Sequence, residues 1–326
     1  MRVAAIDIGT NTVLLLVAER TDAGTLTATE ERATITRLGE GVDRTRALSP
    51  AAVARTTACL EGYARIVERT AASRVVVVGT SAMRDAGGAE ELRSCVSRLF
   101  GMDAIVLSGD EEARLSFVGA LSGLSERREV AVFDIGGGST EVIVGRLREG
   151  RPELSYLHSF NLGSVRLTER FFTSDPVTSS ALTAVREYAR DLFAVVPKLP
   201  DPDVPPVGVA GTMTTLAAVQ LALEPYDGAR VHGRILPAEG LRSTVLGLAA
   251  LESQTRAALP GMEPKRADVI VAGGLIAVEL LSHWGATDVM VSDRGVRWGL
   301  AEELTRESSP RSATGSSTNG GKPTEL

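Results

Sequence analysis

The chain has 326 residues, more than one ordinary hydrophobic core organises and about right for two domains. Hydrophobic residues make up 44% and aromatics only 4%, which points to an aliphatic core and α/β layers. No apolar run approaches the roughly 20 residues of a membrane helix, and the first residues lack the basic and long apolar regions of a secretion signal. A formal charge of −6 argues against a broad electrostatic surface for nucleic acid. A cytoplasmic protein without membrane or nucleic-acid partners is therefore expected. Its two cysteines, Cys59 and Cys95, show no zinc spacing and read as reduced, small apolar residues.

In chain order the pattern predicts strands over 3–8 and 12–19 and a third over 25–37. A helix follows, with Ser49 as N-cap, Pro50 at its first position and Val53, Leu60, Ala64 and Val67 on one face. Strand 75–78, a helix after Gly88, strand 104–107 and a helix from about Asp110 complete a first domain, placed at residues 1–124. The pattern restarts at Val130 with strand, turn and strand. Helices near 164–172 and 178–196, a Pro-rich connection and a short strand into Gly208 come next. Helices at 213–224, 238–249 and 266–283, a strand at 288–292 and a last helix after Asp293 fill a second domain, 125–305. Residues 306–326 are Ser, Thr, Gly and Pro with almost no apolar residue and read as a disordered tail.

Two strand–turn–strand segments share one design: Asp7-Ile8-Gly9-Thr10-Asn11-Thr12, and Asp134-Ile135-Gly136-Gly137-Gly138-Ser139-Thr140-Glu141. An acid at the entrance of a turn suits a metal ion or a water, and Gly and hydroxyl residues at its tip direct N–H and O–H donors at an anion. One such turn is an ordinary hairpin. Two, each near the start of its own domain, suggest a clamp for phosphate between the halves.

With Thr80-Ser81-Ala82-Met83-Arg84-Asp85-Ala86, Ser108-Gly109-Asp110-Glu111-Glu112-Ala113-Arg114-Leu115 and Leu162-Gly163-Ser164-Val165-Arg166-Leu167-Thr168, these turns resemble the exopolyphosphatase and guanosine pentaphosphate phosphohydrolase family over about residues 1–305. The resemblance implies an α/β fold of two ribonuclease H-like domains, as in the actin-like superfamily, around a central cleft. It implies Mg²⁺-dependent hydrolysis of the terminal phosphoanhydride of inorganic polyphosphate or of guanosine pentaphosphate, and a homodimer. The chain is similar to the short, two-domain form.

Hydrolysis of a phosphoanhydride needs donors for charged oxygens and a group that positions or deprotonates water. Glu112, at a helix start, matches the family's catalytic glutamate, and Glu111 is read as structural. Asp7, Asp134 and Glu141 form the candidate Mg²⁺ set, with Asp134 and Glu141 also counted as catalytic. Gly9, Thr10, Asn11 and Thr12 face Gly136, Gly137, Gly138, Ser139 and Thr140 as phosphate donors. Arg84 either grips phosphate or pairs with Asp85. Arg166 either binds substrate or holds the domains together, and Arg37, Arg114, Arg294 and Arg297 are lesser candidates. His158, His232 and His283 read as structural, with His232 nearest a claim on the cleft. Asp293 reads as a cap, and the Gly208–Thr212 stretch as diagnostic of fold. Alternatives are a guanosine pentaphosphate hydrolase, a small-molecule kinase or a chaperone-like module on the same fold, and a non-catalytic sensor. The sensor would have to lack the Glu112 carboxylate, which is present.

Overall fold

The computed structural model describes residues 1–124 and 128–306. The boundary near Ser125 and the tail after Arg306 lie outside the described residues. The first sheet contains β1 (Arg2–Ile8), β2 (Thr12–Arg20), β3 (Leu26–Ile35), β4 (Arg74–Gly79) and β5 (Ile105–Val106), in the order β3-β2-β1-β4-β5. The first three strands are an antiparallel meander, and β4 and β5 run parallel to β1. The second sheet repeats this plan. In it β6 (Val130–Ile135), β7 (Thr140–Arg148) and β8 (Arg151–Phe160) form the meander, and β9 (Val207–Val209) and β11 (Asp288–Val291) lie parallel beside β6. The short β10 (Arg234–Pro237) adds an antiparallel edge, giving β10-β11-β9-β6-β7-β8. This is the expected pair of ribonuclease H-like sheets of the actin-like fold.

Both β1 and β6 are buried on two faces, which explains why they read as continuous apolar runs. On one face of β1, Ala4, Ile6 and Ile8 pack on helix Pro50–Thr70; on β6, Ala131, Phe133 and Ile135 pack on helix Ile270–Trp284. The opposite faces look inward, toward two helices that cross between the halves. Helix Gly109–Ala120 lies on the second sheet, where Ala113 and Phe117 meet Val130 and Val132. Helix Val296–Arg306 lies on the first, where Trp298 and Ala301 meet Val3 and Leu16. Each thus serves the sheet of the other half. Because side chains alternate along a strand, Asp7 and Asp134 share the inward face with Ala5 and Val132.

Several boundaries differ from expectation. Strands β8 and β10 were not foreseen: β8 is an edge strand in which Pro152, Leu154, Tyr156 and Phe160 alternate with polar residues, a pattern the reading passed over, and β10 is only four residues long. One helix begins at Ala210, directly after β9, and another at Ile270, after a 3₁₀ turn over Pro264–Arg266. No helix among the described residues is long and apolar enough to cross a membrane.

Candidate active site

The two glycine turns meet across the middle of the molecule. A Cβ on Gly138 would stand 2.5 Å from Ser81 Oγ and 3.0 Å from Thr10 Oγ1, and one on Gly137 would stand 3.1 Å from Thr10 Cβ. Glycine is needed here for close approach of the opposite turn. Each turn is closed locally: the Gly9 amide donates to the Thr12 carbonyl (3.1 Å) and the Gly136 amide to the Ser139 carbonyl (3.0 Å). The turns open into a cleft of about 1430 Å³, whose wall includes Asp7, Gly9 to Thr12, Glu112, Asp134 and Gly136 to Ser139.

At the floor, Asp7 Oδ1, Thr10 Oγ1 and Asn11 Nδ2 are buried without a hydrogen-bond partner among the described residues. Leaving such atoms unpaired in a protein costs about 1–3 kcal/mol each, so three together mark a site built for something else to satisfy. Asp134 Oδ2 accepts from Ser116 Oγ on the crossing helix. Glu112, one turn earlier on that helix, accepts from Arg84 Nη1 at 3.0 Å. The helix begins with a capping box in which Ser108 and Glu111 bond each other's backbone amides, so Glu111 fixes the helix start and leaves Glu112 for the cleft.

Burial and mutual repulsion raise these carboxyls. Asp7 is pushed up to about 8 by burial and by the charges of Glu112 and Asp134. Burial lifts Glu112 to about 7 against the opposing hydrogen bond and charge of Arg84. It lifts Asp134 to about 6 despite the bond from Ser116. A cation would relieve this crowding. The expected set of Asp7, Asp134 and Glu141 does not stand as a ready-made cage. Among the described residues no three His, Cys, Asp or Glu side chains are grouped to hold a metal. Glu141 sits opposite Asp134 in the β6–β7 register and on the same face, but it is only 1% exposed, is bonded to Ser159 Oγ at 2.7 Å and does not line the cleft. Burial and the charges of Glu112 and Asp134 hold its carboxyl well above the usual range. The orphaned Asp7 oxygen and the neighbouring Asp134 fit Mg²⁺ in its ordinary manner, bound by one or two carboxylates, waters and substrate oxygens.

Three other expectations change. Thr140 is fully buried and its hydroxyl donates to the Leu162 carbonyl, so it braces the turn and offers no donor to the cleft. Arg166 does not line the cleft. Its guanidinium is occupied by the Gly138 carbonyl (2.9 Å), Asp43 and Asp85 (3.2 Å), which makes it a tie between the halves. Arg84 pairs with both Glu112 and Asp85 and does not reach the cleft wall. Of the lesser arginines, Arg37 pairs with Asp268 and Arg114 with Glu303. Arg297 and Arg294 do line the cleft, the first paired with Glu31 at 2.6 Å and the second stacked 3.9 Å from the Trp298 ring centre. Asp293 lines it too, with helix Val296–Arg306 starting three residues later, so it is no cap. His232 is on the cleft wall, while His158 packs on Phe160 and His283 bonds the Val196 carbonyl.

Sequence reasoning missed Ser81 and Arg266. Ser81 lies in the Thr80–Ala86 motif, which is the sequence signal for it, and its closeness to the Gly138 turn is visible only in the fold. Arg266 comes from the far half to donate to Thr12 Oγ1 (3.2 Å), and among the described residues it has no carboxylate partner. Nothing around Pro264-Lys265-Arg266 distinguishes it from a surface turn.

The description of the family model that matches residues 16–307 is the Ppx/GppA phosphatase family. The chain is 36% identical over 318 residues to a Mycobacterium tuberculosis protein named Exopolyphosphatase 2, covering 93% of this chain and 98% of that one. It is 29% identical to the Vibrio atlanticus guanosine-5'-triphosphate,3'-diphosphate pyrophosphatase, covering 93% of this chain and 59% of that longer protein. The crystal structure of the Aquifex aeolicus Ppx/GppA family member superposes with a TM-score of 0.79 at 33% identity, over 95% of this chain and 99% of that one. The paired turns, the carboxylates between them and this likeness along the chain agree: the protein belongs to the Ppx/GppA phosphatase family.

Proposed function

We propose that the chain is an exopolyphosphatase that removes orthophosphate from the end of inorganic polyphosphate, with Mg²⁺ as cofactor. The carrying observation is the orphaned trio Asp7 Oδ1, Thr10 Oγ1 and Asn11 Nδ2, set against a facing glycine turn and beside Glu112. In this reading Thr10, Asn11 and the amides of Gly137 and Gly138 hold the oxygens of the terminal phosphate. Glu112, kept in orientation by Arg84, takes a proton from the water that attacks phosphorus. The bridging P–O bond breaks and the shortened chain leaves. Bound Mg²⁺ would supply positive charge against the phosphate oxygens, with Asp7 and Asp134 as its protein ligands. The cleft is far larger than one phosphate, and Arg266, Arg294 and Arg297 on its wall suit the anionic remainder of a longer substrate. A homodimer in the cytoplasm belongs to the same proposal and is checked by sedimentation and fractionation.

The test supplies purified protein with polyphosphates of several lengths, guanosine pentaphosphate, and ATP with sugar or acetate acceptors, and follows phosphate release. Glu112→Gln lowers kcat about 100- to 10,000-fold. A chelator abolishes release and Mg²⁺ restores it. Release undiminished in Glu112→Gln sinks the assignment of the base, preference for guanosine pentaphosphate selects the alternative substrate, and transfer to an acceptor without net hydrolysis selects a kinase.

A further inference from the structure

Beside the glycine turn a chain of polar contacts joins five separate segments, at Asp43, Ser81–Asp85, Leu107–Glu112, Gly138 and Arg166. Asp85, the last residue of helix Ser81–Asp85, accepts from Ser81 Oγ (3.1 Å) and from Arg166 Nη2 (3.2 Å) on one oxygen. Its other oxygen lies 3.6 Å from Arg84 Nε. Arg84 Nη1 in turn reaches the Leu107 carbonyl (2.9 Å) and Glu112 Oε2 (3.0 Å). Arg166 Nε donates to the Gly138 carbonyl (2.9 Å), and Nη1 pairs with Asp43. Asp85 and Arg166 border a separate cavity of about 20 Å³ and do not line the main cleft.

We propose that Asp85 is a positioning residue for the hydrolysis: it holds Arg84 against Glu112 on one side and, through Arg166, the Gly136–Gly138 turn on the other. The mechanism has no other use for this carboxylate. Arg166 comes from the second half, and Asp43, Asp85 and Arg84 from the first. Contact between the halves therefore seats the phosphate turn and orients the base through one shared anion. Side-chain exposures of 12% for Arg166, 21% for Asp85 and 24% for Arg84 place the node where solvent screens it only partly. Asparagine at 85 keeps the shape and removes the charge, leaving one neutral oxygen for three donors.

The inference rests on the hydrolase reading for its kinetics and not for its second readout. Asp85→Asn and Arg166→Gln each lower kcat about tenfold with KM within about twofold, because they misplace groups and remove no substrate contact. The double variant is no slower than the worse single, and Asp85→Glu recovers part of the rate. In substrate-free protein, amide hydrogen exchange at residues 136–139 quickens in Asp85→Asn while the sheet interiors stay protected. Losses that multiply in the double variant, unchanged kcat, or unchanged exchange at the turn overturn the proposal. So does exchange raised throughout the chain, which assigns Asp85 to general stability. A wild type that releases no phosphate from any substrate sinks the hydrolase reading, and the exchange measurement still decides whether Asp85 pins the turn.

Discussion

Replacing Gly163 by alanine tests how firmly the phosphate turn must be held. The residue does not itself line the cleft, yet a Cβ there would stand 2.3 Å from the Gly137 carbonyl oxygen, 2.4 Å from its carbon and 2.5 Å from the Gly138 nitrogen. Contacts between such atoms relax only near ~3.5 Å, so the turn must shift by about 1 Å. It cannot do so freely, because the amides of Ser164 and Val165 hold the Gly136 and Gly137 carbonyls at 2.9 Å. Overpacking of this kind costs about 1–3 kcal/mol, and a displacement of about 1 Å in a positioning group costs on the order of 100-fold in rate. The assay is kcat on polyphosphate beside urea unfolding, at a temperature where both proteins are folded. Gly247→Ala is the control: that glycine lies in helix Ala238–Ala249 with nothing within 4 Å of its Cβ position, and alanine should stabilise by about 1 kcal/mol without changing kcat. A Gly163→Ala enzyme with kcat within about threefold of wild type would refute the rigid turn.

Two further expectations concern stability. The Arg256 guanidinium is buried and paired with Asp175 at 2.9 Å and with the Leu248 carbonyl at 3.2 Å. Asp175→Ala strands that charge; since Asp175 is 42% exposed, the loss should be about 2 kcal/mol, below the value for a fully buried pair, and unchanged urea unfolding would count against it. Burial and the nearby Arg294 charge push His232 from 6.5 down to about 4. Folding therefore favours the neutral ring. Its contribution is complete above pH 6.5 and is lost as pH falls toward about 4, at most about 2 kcal/mol after screening. His232→Gln should flatten that part of the wild-type pH profile of unfolding, and identical profiles would refute the assignment.

Much of the site was written locally. Strand, turn and strand around Asp7 and Asp134 are set by β-branched runs and glycines within ten residues of each other, and the Ser108–Glu111 capping box fixes the helix that carries Glu112. The chain thus placed its acids and its phosphate turns at the ends of known elements before any packing was considered. Strand β8 was legible in the alternation of Pro152, Leu154, Tyr156 and Phe160 with polar residues and was overlooked, whereas Arg266 escaped because its distinction is what it meets 254 residues away.

The sequence by itself determined which groups are chemical: two turns able to hold an anion, the carboxylates at their entrances, and a glutamate at a helix start. Only the tertiary structure decided which of them share a surface. Residue parity on β1 and β6 turns Asp7 and Asp134 inward, and the crossing of helices Gly109–Ala120 and Val296–Arg306 brings both strands against one layer. The same packing uses Thr140 on the Leu162 carbonyl, Glu141 on Ser159 and Arg166 on Asp43 and Asp85. An arginine in a motif carries the same charge whether it meets substrate or a carboxylate, and the partner that settles its role belongs to a distant part of the chain.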